Sequence, residues 1–544
     1  MSRDRVSFAD SNSTSGRAVL LFLGYRSVVA LFENLVLLLF IAALLLTAAR
    51  RLGVPYPTLL SVAGMLVALS PFAPSFQIEP HLALAIFIAP ALLDAAFDTS
   101  PRDLARLWAP LLALAVGAVV ATTAAVAYLG FNLAGLPISA AIALGAIVAP
   151  TDAVAANAVM REVGLPRHSS LVIQGESLLN DATALLLFGA ATAGVSESIL
   201  NGGVAGLAIA APGGIVFGFV LGRAYVAIAH WFAGTLSSII MQFTGTFGVW
   251  LLADRLHLSP VLAVVAYAMV IGQMMPGRIS ARDRVQSYSV WAAVVFVLNV
   301  LAFLFMGLQT RTVVAALPAH DRWPAARFAL GVLLSVIIVR IVVIGFYHTL
   351  SSFIWRVYRP RWLPRPLTWR TTFVLSWCGT RGLLTLATSF ALPQNFPGRN
   401  LIVLSAMSVV LGTLIIQGVT LEPLIRWLGV ADDNREANVN ISRARMQIIQ
   451  AGIVSAEGEP TAVAMVLKKQ LQESMDVARS RHDPQASTRF DAAHARAVAA
   501  QRSKLHDLRG AGEIDDDVFH RLEEELDWLE LAALPSKEIE VVEG

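Results

Sequence analysis

The chain has a single cysteine, Cys378, and no lysine before residue 468. One thiol forms no intrachain disulfide and builds no cysteine metal site. Charge is scarce as well. Asp, Glu, Lys and Arg make up 15% of the 544 residues, against about a quarter in a soluble domain. That excludes an ordinary soluble enzyme and a disordered chain alike. What is present instead is apolar: 56% hydrophobic residues and a mean hydropathy of +0.65. The net charge of +3 conceals a division. Residues 430–544 carry 22 Asp/Glu against 14 Lys/Arg, and residues 1–429 carry 16 against 27. All four lysines (Lys468, Lys469, Lys504, Lys537) lie in that acidic tail, so every fixed positive side chain before it is arginine.

A bilayer core of about 30 Å needs roughly 20 helical residues. Apolar stretches of that order recur at 31–49, 56–72, 81–99, 106–129, 136–159, 170–194, 204–229, 237–253, 258–275, 287–309, 327–350, 368–392 and 400–428. This predicts an all-α polytopic membrane protein of about thirteen spans over 31–428. A leader over 1–30 precedes it and a helical tail over 429–544 follows. In the leader, Ala18–Leu31 is apolar but interrupted by Tyr25 and Arg26. It reads as an interfacial helix or an extension of the first span, not as a cleaved signal.

Arginine placement orients the chain. The loops on the tail's side hold Arg50, Arg51, Arg102, Arg106, Arg161, Arg167, Arg223, Arg278, Arg282, Arg284, Arg356, Arg359, Arg361, Arg365 and Arg370. The opposite loops hold Arg255, Arg311, Arg322, Arg327 and Arg399. Fifteen against five puts the tail in the cytoplasm. Arg3, Arg5, Arg17 and Arg26 of the leader pull the other way, which leaves room for an extra N-terminal crossing. Within the tail, Val463–Leu471 and Ile514–Leu531 place apolar residues at helical spacing, and the acids at 515–517 suit a helix N-terminus. His-Asp-Pro at 482–484 marks a loop. The tail helices are expected to pack on themselves or on a second copy. His482, His494, His506 and His520 read as candidate pH sensors, histidine being the side chain type that changes charge in the physiological range, or as ordinary exposed histidines.

Ionisable side chains inside a span are costly and by default functional. The sixth span reads GESLLNDATALLLF, with Glu176, Ser177, Asn180 and Asp181. On a helix Glu176 stacks with Asn180, and Ser177 with Asp181, so one pair can brace while the other lines a site. Structural pairing of the acids with arginine is the plainer reading. The fifth span reads GAIVAPTDAVAANAVM, where Pro150 removes a helical N–H and Thr151 and Asp152 follow. A break there exposes carbonyls and a helix N-terminus inside the membrane, tolerated where backbone lines a cavity or is buried in protein. Asp152 can cap the second half-helix, bind an ion, or both. The third span holds Pro90 and Asp94, with Asp98 as a boundary charge. In the twelfth, Gly379 and Gly382 flank Thr380 and Arg381, a second interruption around a buried cation. Arg340 is another, in the eleventh span. Both arginines read as braces that neutralise Glu176 and the carbonyl ends of broken helices, in preference to contact with a transported ion. Interruptions in the fifth and twelfth spans fall at equivalent places in two six-span halves, the pattern of an inverted-repeat transporter.

At these residues the chain resembles the cation/proton antiporter-1 family, the sodium/proton exchangers. The matching motifs are Pro150-Thr151-Asp152, Gly175-Glu176-Ser177-Leu178-Leu179-Asn180-Asp181, Pro90 with Asp94, and Arg381-Gly382, in order over roughly 31–428. The resemblance implies the sodium/proton antiporter fold and a homodimer with a dimerisation domain and a mobile core. It implies that Asp181 is the principal carrier of cation and proton, with Thr151, Ser177 and Asp94 helping to ligate Na+ or K+ and Asp152 close by. Asn180, Glu176 and Arg381 then hold the crossing of the broken helices. Asp94 departs from the Glu frequent in bacterial members, and its shorter side chain weakens the case for direct ligation.

A buried carboxylate has its charged form disfavoured, so it is neutral with a proton or neutralised by a cation. Carboxylate, hydroxyl and carbonyl oxygens suit a hard monovalent ion. The family's electrogenic relatives carry Asp-Asp where this chain has Asn180-Asp181, together with a membrane lysine. Here the first position is neutral and lysine is absent before 468, so electroneutral exchange is expected. No cofactor and no nucleic-acid partner are expected; the partners are monovalent cations, protons and the lipid bilayer. The arginine usage suits a bacterial plasma membrane, and the role is control of intracellular pH and cation content. Three other readings remain. A potassium-selective or broad monovalent-cation antiporter would use the same residues. A cation channel should show pore loops or charged rings. An intramembrane aspartic protease would pair Asp152 with Asp181, but lacks a Gly-x-Gly-Asp signature and leaves Glu176 and Arg381 without a role.

Overall fold

A computed structural model describes residues 33, 36–70, 79–97, 99–152, 167–193, 203–275, 278–359, 366–430, 435–457, 462–480, 484–511, 513 and 516–533. They form helices and connecting turns, with no strand among them. The chain divides into two compact units between Ala431 and Asp432.

The helices of the first unit are α1 (36–52), α2 (Tyr56–Ala68), α3 (Leu84–Phe97), α4 (Trp108–Ala134), α5 (Ile138–Val148), α6 (Arg167–Ala193), α7 (Gly203–Ile228), α8 (Ser237–Arg255), α9 (Pro260–Met274), α10 (Ala281–Leu308), α11 (Arg322–Tyr358), α12 (Trp369–Trp377), α13 (Leu383–Phe390) and α14 (Arg399–Leu428). Among the described residues, six helices are long and apolar enough to cross a membrane (those containing α4, α6, α7, α10, α11 and α14), and α2, α3, α5 and α9 are shorter apolar helices. Helix also occupies the first, eighth and twelfth expected positions, as α1, as α8 and as the pair α12 and α13. Ala18–Leu31 and Asp98 lie outside the described residues.

Local chemistry sets several helix starts. Ser259 accepts from the Leu262 N–H ahead of Pro260, whose missing N–H costs nothing in a first turn. Ser280 caps α10 through the Asp283 N–H, and Thr368 caps α12 through that of Thr371. α11 runs 37 residues, well beyond the expected 327–350, because its only proline, Pro324, sits in the first turn, where it does not break the ladder. α3 opens with a π-helical turn, Leu84–Ile88, just ahead of Pro90, and α14 contains another at Leu414–Gly418. Such turns gather at functional sites.

Two apolar cores carry the unit. One joins α3, α6, α7, α8, α9, α10 and α13 through residues such as Leu92, Leu178, Ala182, Trp250, Val264 and Ala387. The other joins α4, α5, α11 and α14 through Val126, Leu144, Val336 and Ile402, and reaches Ala191 of α6. α5 is buried on nearly every face, as a helix apolar all round must be. α6 is where the two cores meet.

The second unit holds α15 (Arg435–Glu457), α16 (Ala462–Ser480), α17 (Pro484–Gly510) and α18 (Asp516–Ala533). Val463–Leu471 falls in α16 and residues 516–531 of the second stretch fall in α18; Ile514 and Asp515 lie outside the described residues. Arg502 of α17 bonds Asp527 at 2.7 Å and Glu530 at 2.5 Å on α18.

Candidate functional site

α5 ends where the first interruption is expected, the second interruption is present, and the two open stretches touch. α5 stops at Val148, and Ala149–Asp152 is not helical; residues 153–166 lie outside the described set. α12 stops at Trp377, and helix resumes at Leu383 after the open stretch Cys378–Gly382. The Asp152 N–H donates to the Thr380 carbonyl at 2.8 Å. The Thr380 hydroxyl donates back to the Asp152 carbonyl at 3.0 Å. Backbone groups that no helix serves are thereby paired inside protein, as burial demands.

A broken helix leaves carbonyls that carry partial negative charge at its C-terminal end. Each half-helix meets an arginine there. Arg381, 1% exposed, donates from Nη1 to the Ala149 carbonyl at 2.5 Å, just past the end of α5. Arg340, 2% exposed, donates from Nη2 to the carbonyls of Leu375 and Cys378 at 3.3 and 3.0 Å, at the end of α12. The same guanidinium grips Glu176 with two bonds, Nη1 to Oε1 and Nη2 to Oε2, the second at 3.0 Å. The sequence offered both arginines for Glu176; the geometry divides the work, and Arg340 takes the carboxylate. Arg381 is fixed further by its own N–H, which donates to the Thr413 hydroxyl at 3.0 Å.

Thr151 links this bracing to α6. Its hydroxyl donates to Glu176 Oε1 at 3.1 Å and accepts from Asn180 Nδ2 at 2.7 Å. Its carbonyl accepts from the Ser177 hydroxyl at 3.1 Å. The Thr151 side chain thus points into the brace, with one lone pair left over. Asn180 Oδ1 is buried and has no partner among the described residues.

Asp152 takes up the opposite pole. Gly382 immediately precedes α13, and a Cβ added there would overlap the Asp152 carboxylate. Only glycine lets that carboxylate lie against the start of α13, where the helix dipole favours an anion. Gly379 plays a similar part for Arg340: a Cβ there would come within 2.6 Å of Nε.

Asp181, partly buried on α6, forms no hydrogen bond or ion pair with a described residue. Asp94 lies on α3, exposed, while that helix packs against α6 through Leu92, Ala96, Leu178 and Ala182. The structure therefore gathers Thr151, Asp152, Glu176, Ser177, Asn180, Arg340 and Arg381 at the crossing. Asp181 follows one turn beyond Ser177, and Asp94 sits on the neighbouring helix. Sequence reading missed Thr380 and Thr413 as partners. A hydroxyl in an apolar span was the available sign, but many such hydroxyls bond only their own helix, as Thr183 does to the Leu179 carbonyl.

Residues 36–427 match the family model described as "Sodium/hydrogen exchanger, transmembrane". A Mycobacterium tuberculosis protein named as an uncharacterized Na+/H+ exchanger is 29% identical over 516 residues, 90% of this chain and 94% of its own length. A Bacillus pumilus protein named as a sodium, potassium, lithium and rubidium/H+ antiporter is 28% identical over 420 residues, 74% of this chain and 62% of its own. Among solved structures, the fold is similar to that of a sodium proton antiporter from Methanocaldococcus jannaschii, with a TM-score of 0.57 and 18% identity over 74% of this chain and 100% of that one.

Proposed function

The chain belongs to the transmembrane sodium/hydrogen exchanger family, and from that membership we propose that it exchanges a monovalent cation for a proton, one for one, with Asp181 as the shared carrier. The observation that carries this reading is a contrast on α6. Glu176 is saturated by Arg340 and Thr151. Asp181, five residues on, has no fixed partner among the described residues. A carboxylate held by arginine does not exchange ligands readily. One without a partner takes a proton or a cation, and in a poorly solvated setting it crosses only when neutralised. Competition for that carboxylate, joined to alternating access, is exchange.

Asp152 and Ser177 border the carrier and supply further oxygens for Na+ or K+, with Thr151 contributing its remaining lone pair and Asp94 acting from the edge. Asn180, Glu176, Arg340 and Arg381 hold the crossing. No enzymatic step and no cofactor enter this account. The transporter works as a homodimer in a bacterial plasma membrane, its tail in the cytoplasm, and serves pH and cation homeostasis. A broader cation range is the second reading, favoured by the B. pumilus relative named for sodium, potassium, lithium and rubidium.

Proteoliposomes carrying an imposed pH gradient test this. Adding Na+, Li+ or K+ outside dissipates the gradient, and the order of the three fixes selectivity. No proton movement with any of them, from neutral to alkaline pH, overturns the antiport reading and favours a channel.

A further inference from the structure

We propose that ordered water is bound in a short file along one face of α13, joining Arg381 Nε to the hydroxyls of Thr385 and Thr388 and so holding Arg381 at the crossing. Three buried polar atoms carry the inference. Arg381 is 1% exposed, and its Nε has no hydrogen-bond partner among the described residues. Thr385 and Thr388 are buried, and neither hydroxyl has such a partner. A hydroxyl on a helix has an easy alternative in the carbonyl three or four residues back. Ser389, on the same short helix, takes it at 2.7 Å with Leu386. Thr183 and Thr192 of α6 and Thr246 of α8 do the same. Thr385 and Thr388 do not, so their hydroxyls are turned away from their own helix.

The neighbouring helices offer them no side-chain partner. α13 packs against α3, α5, α10 and α14. Leu384 and Ala387 join the core that contains α3, and Leu386 joins the apolar cluster with Val300 and Phe303 of α10. Thr385 and Thr388, three apart, share the remaining face. Arg381 marks what that face meets. Its Nη1 donates to the Ala149 carbonyl past the end of α5, and its N–H to Thr413 of α14. α5 carries only one hydrogen-bonding side chain, Ser139, at its opposite end. On α14, Ser405, Ser408 and Thr413 donate to carbonyls of their own helix.

Water fits this row in spacing and in chemistry. Thr385 and Thr388 differ by a rise of about 4.5 Å, and one water bonded to both hydroxyls at about 2.8 Å each spans that gap. Arg381, four residues before Thr385, brings its guanidinium to the inner end. Buried water settles where polar groups lack protein partners, and makes about three hydrogen bonds there. A hydroxyl both donates and accepts, whereas Nε only donates, so the row runs outward from the arginine through each threonine. Arg381 gains most from it. Its guanidinium forms no ion pair with a described residue: Glu176 is held by Arg340, and Nη1 has the Ala149 carbonyl alone. A buried charge so served needs further solvation. The same positive charge keeps a cation out of the file, hydronium included, and the Ala149 carbonyl beside it disfavours an anion. The file therefore solvates and positions Arg381 and carries no protons. This site does not depend on the antiport reading, since bound water is observed without transport.

The test joins a cryo-electron microscopy map of the purified full-length protein, at a resolution that shows ordered water, to near-isosteric variants. The map shows one water bonded to Arg381 Nε and Thr385 Oγ1, and one shared by Thr385 and Thr388. T385S keeps the hydroxyl and the first water; T385V loses both. Hydroxyls turned onto carbonyls of their own helix with no water beside them overturn the proposal, and so does a halide at the guanidinium. Thermal transitions in detergent give an independent sign. Valine in place of an unpaired buried hydroxyl removes an unsatisfied group and raises the transition. With water bound, T385V and T388V each lower it by about 2 °C. An unchanged or raised transition in both variants overturns the proposal.

Discussion

At the scale of single residues, the buried charges fall into two roles that the same side-chain types do not announce. Glu176 and Arg340 are each 2% exposed and joined by paired bonds. Two charges out of water are tolerable only when matched and hydrogen-bonded. Arg340 meets that condition with four bonds, two to Glu176 and two to the carbonyls of Leu375 and Cys378. Removing one partner strands the other. R340A is expected to lose about 3–5 kcal/mol of stability, read as a large fall in the detergent thermal transition of the purified protein. A transition unchanged from native would mean that Glu176 is not held as described. Both acids of GESLLND were legible in the sequence as ionisable groups inside a span. That Arg340 serves Glu176 while Arg381 serves Ala149 was not, because the partners lie 164 and 232 residues apart and nothing local marks which long side chain reaches which oxygen.

At the scale of elements, the candidate site forms where the end of α5 meets the open stretch between α12 and α13. Pro150 and the glycines Gly379 and Gly382 announced the breaks, since a missing N–H and missing side chains are visible in a sequence. The clasp between Asp152 and Thr380 was hidden, because one bond joins backbone atoms that every residue shares and the other takes the Thr380 hydroxyl to a backbone carbonyl 228 residues away. The glycines do more than interrupt: Gly382 leaves the space that the Asp152 carboxylate fills. G382A is therefore expected to push that carboxylate off the start of α13 and cut transport by about a hundredfold, the scale of a misplacement of about 1 Å. The thermal transition should change little, because the brace of Arg340 and Glu176 is untouched. Transport at the native rate in G382A would show that Asp152 need not lie where it does. The π-helical turns were likewise beyond sequence reading, since they follow from packing and from how the hydrogen-bond ladder widens near proline.

At the scale of the whole molecule, composition separates an apolar, lysine-free region over 31–428 from an acidic tail over 429–544; the two compact units part between Ala431 and Asp432. Apolar runs placed the long helices well. They placed the interrupted ones less well, because a broken span has no full turn count to recognise. Charge also bears on energetics. Asn180 is neutral and committed to Thr151, and the proposed one-for-one exchange rests on that neutrality. An imposed potassium diffusion potential should then leave the rate of sodium-driven proton movement unchanged. A rate that rises with inside-negative potential and falls with the reverse would mean that net charge moves.

The most direct test of the central claim is cation-driven proton movement in proteoliposomes for D181N against the native chain, at equal incorporation. The substitution keeps the side-chain volume and removes the charge, so the brace at Glu176 and Arg340 stays assembled while the carrier is lost. The account predicts a folded protein with no cation-driven dissipation of the pH gradient. Sustained antiport by D181N would contradict it and move the carrier to Asp152 or Asp94.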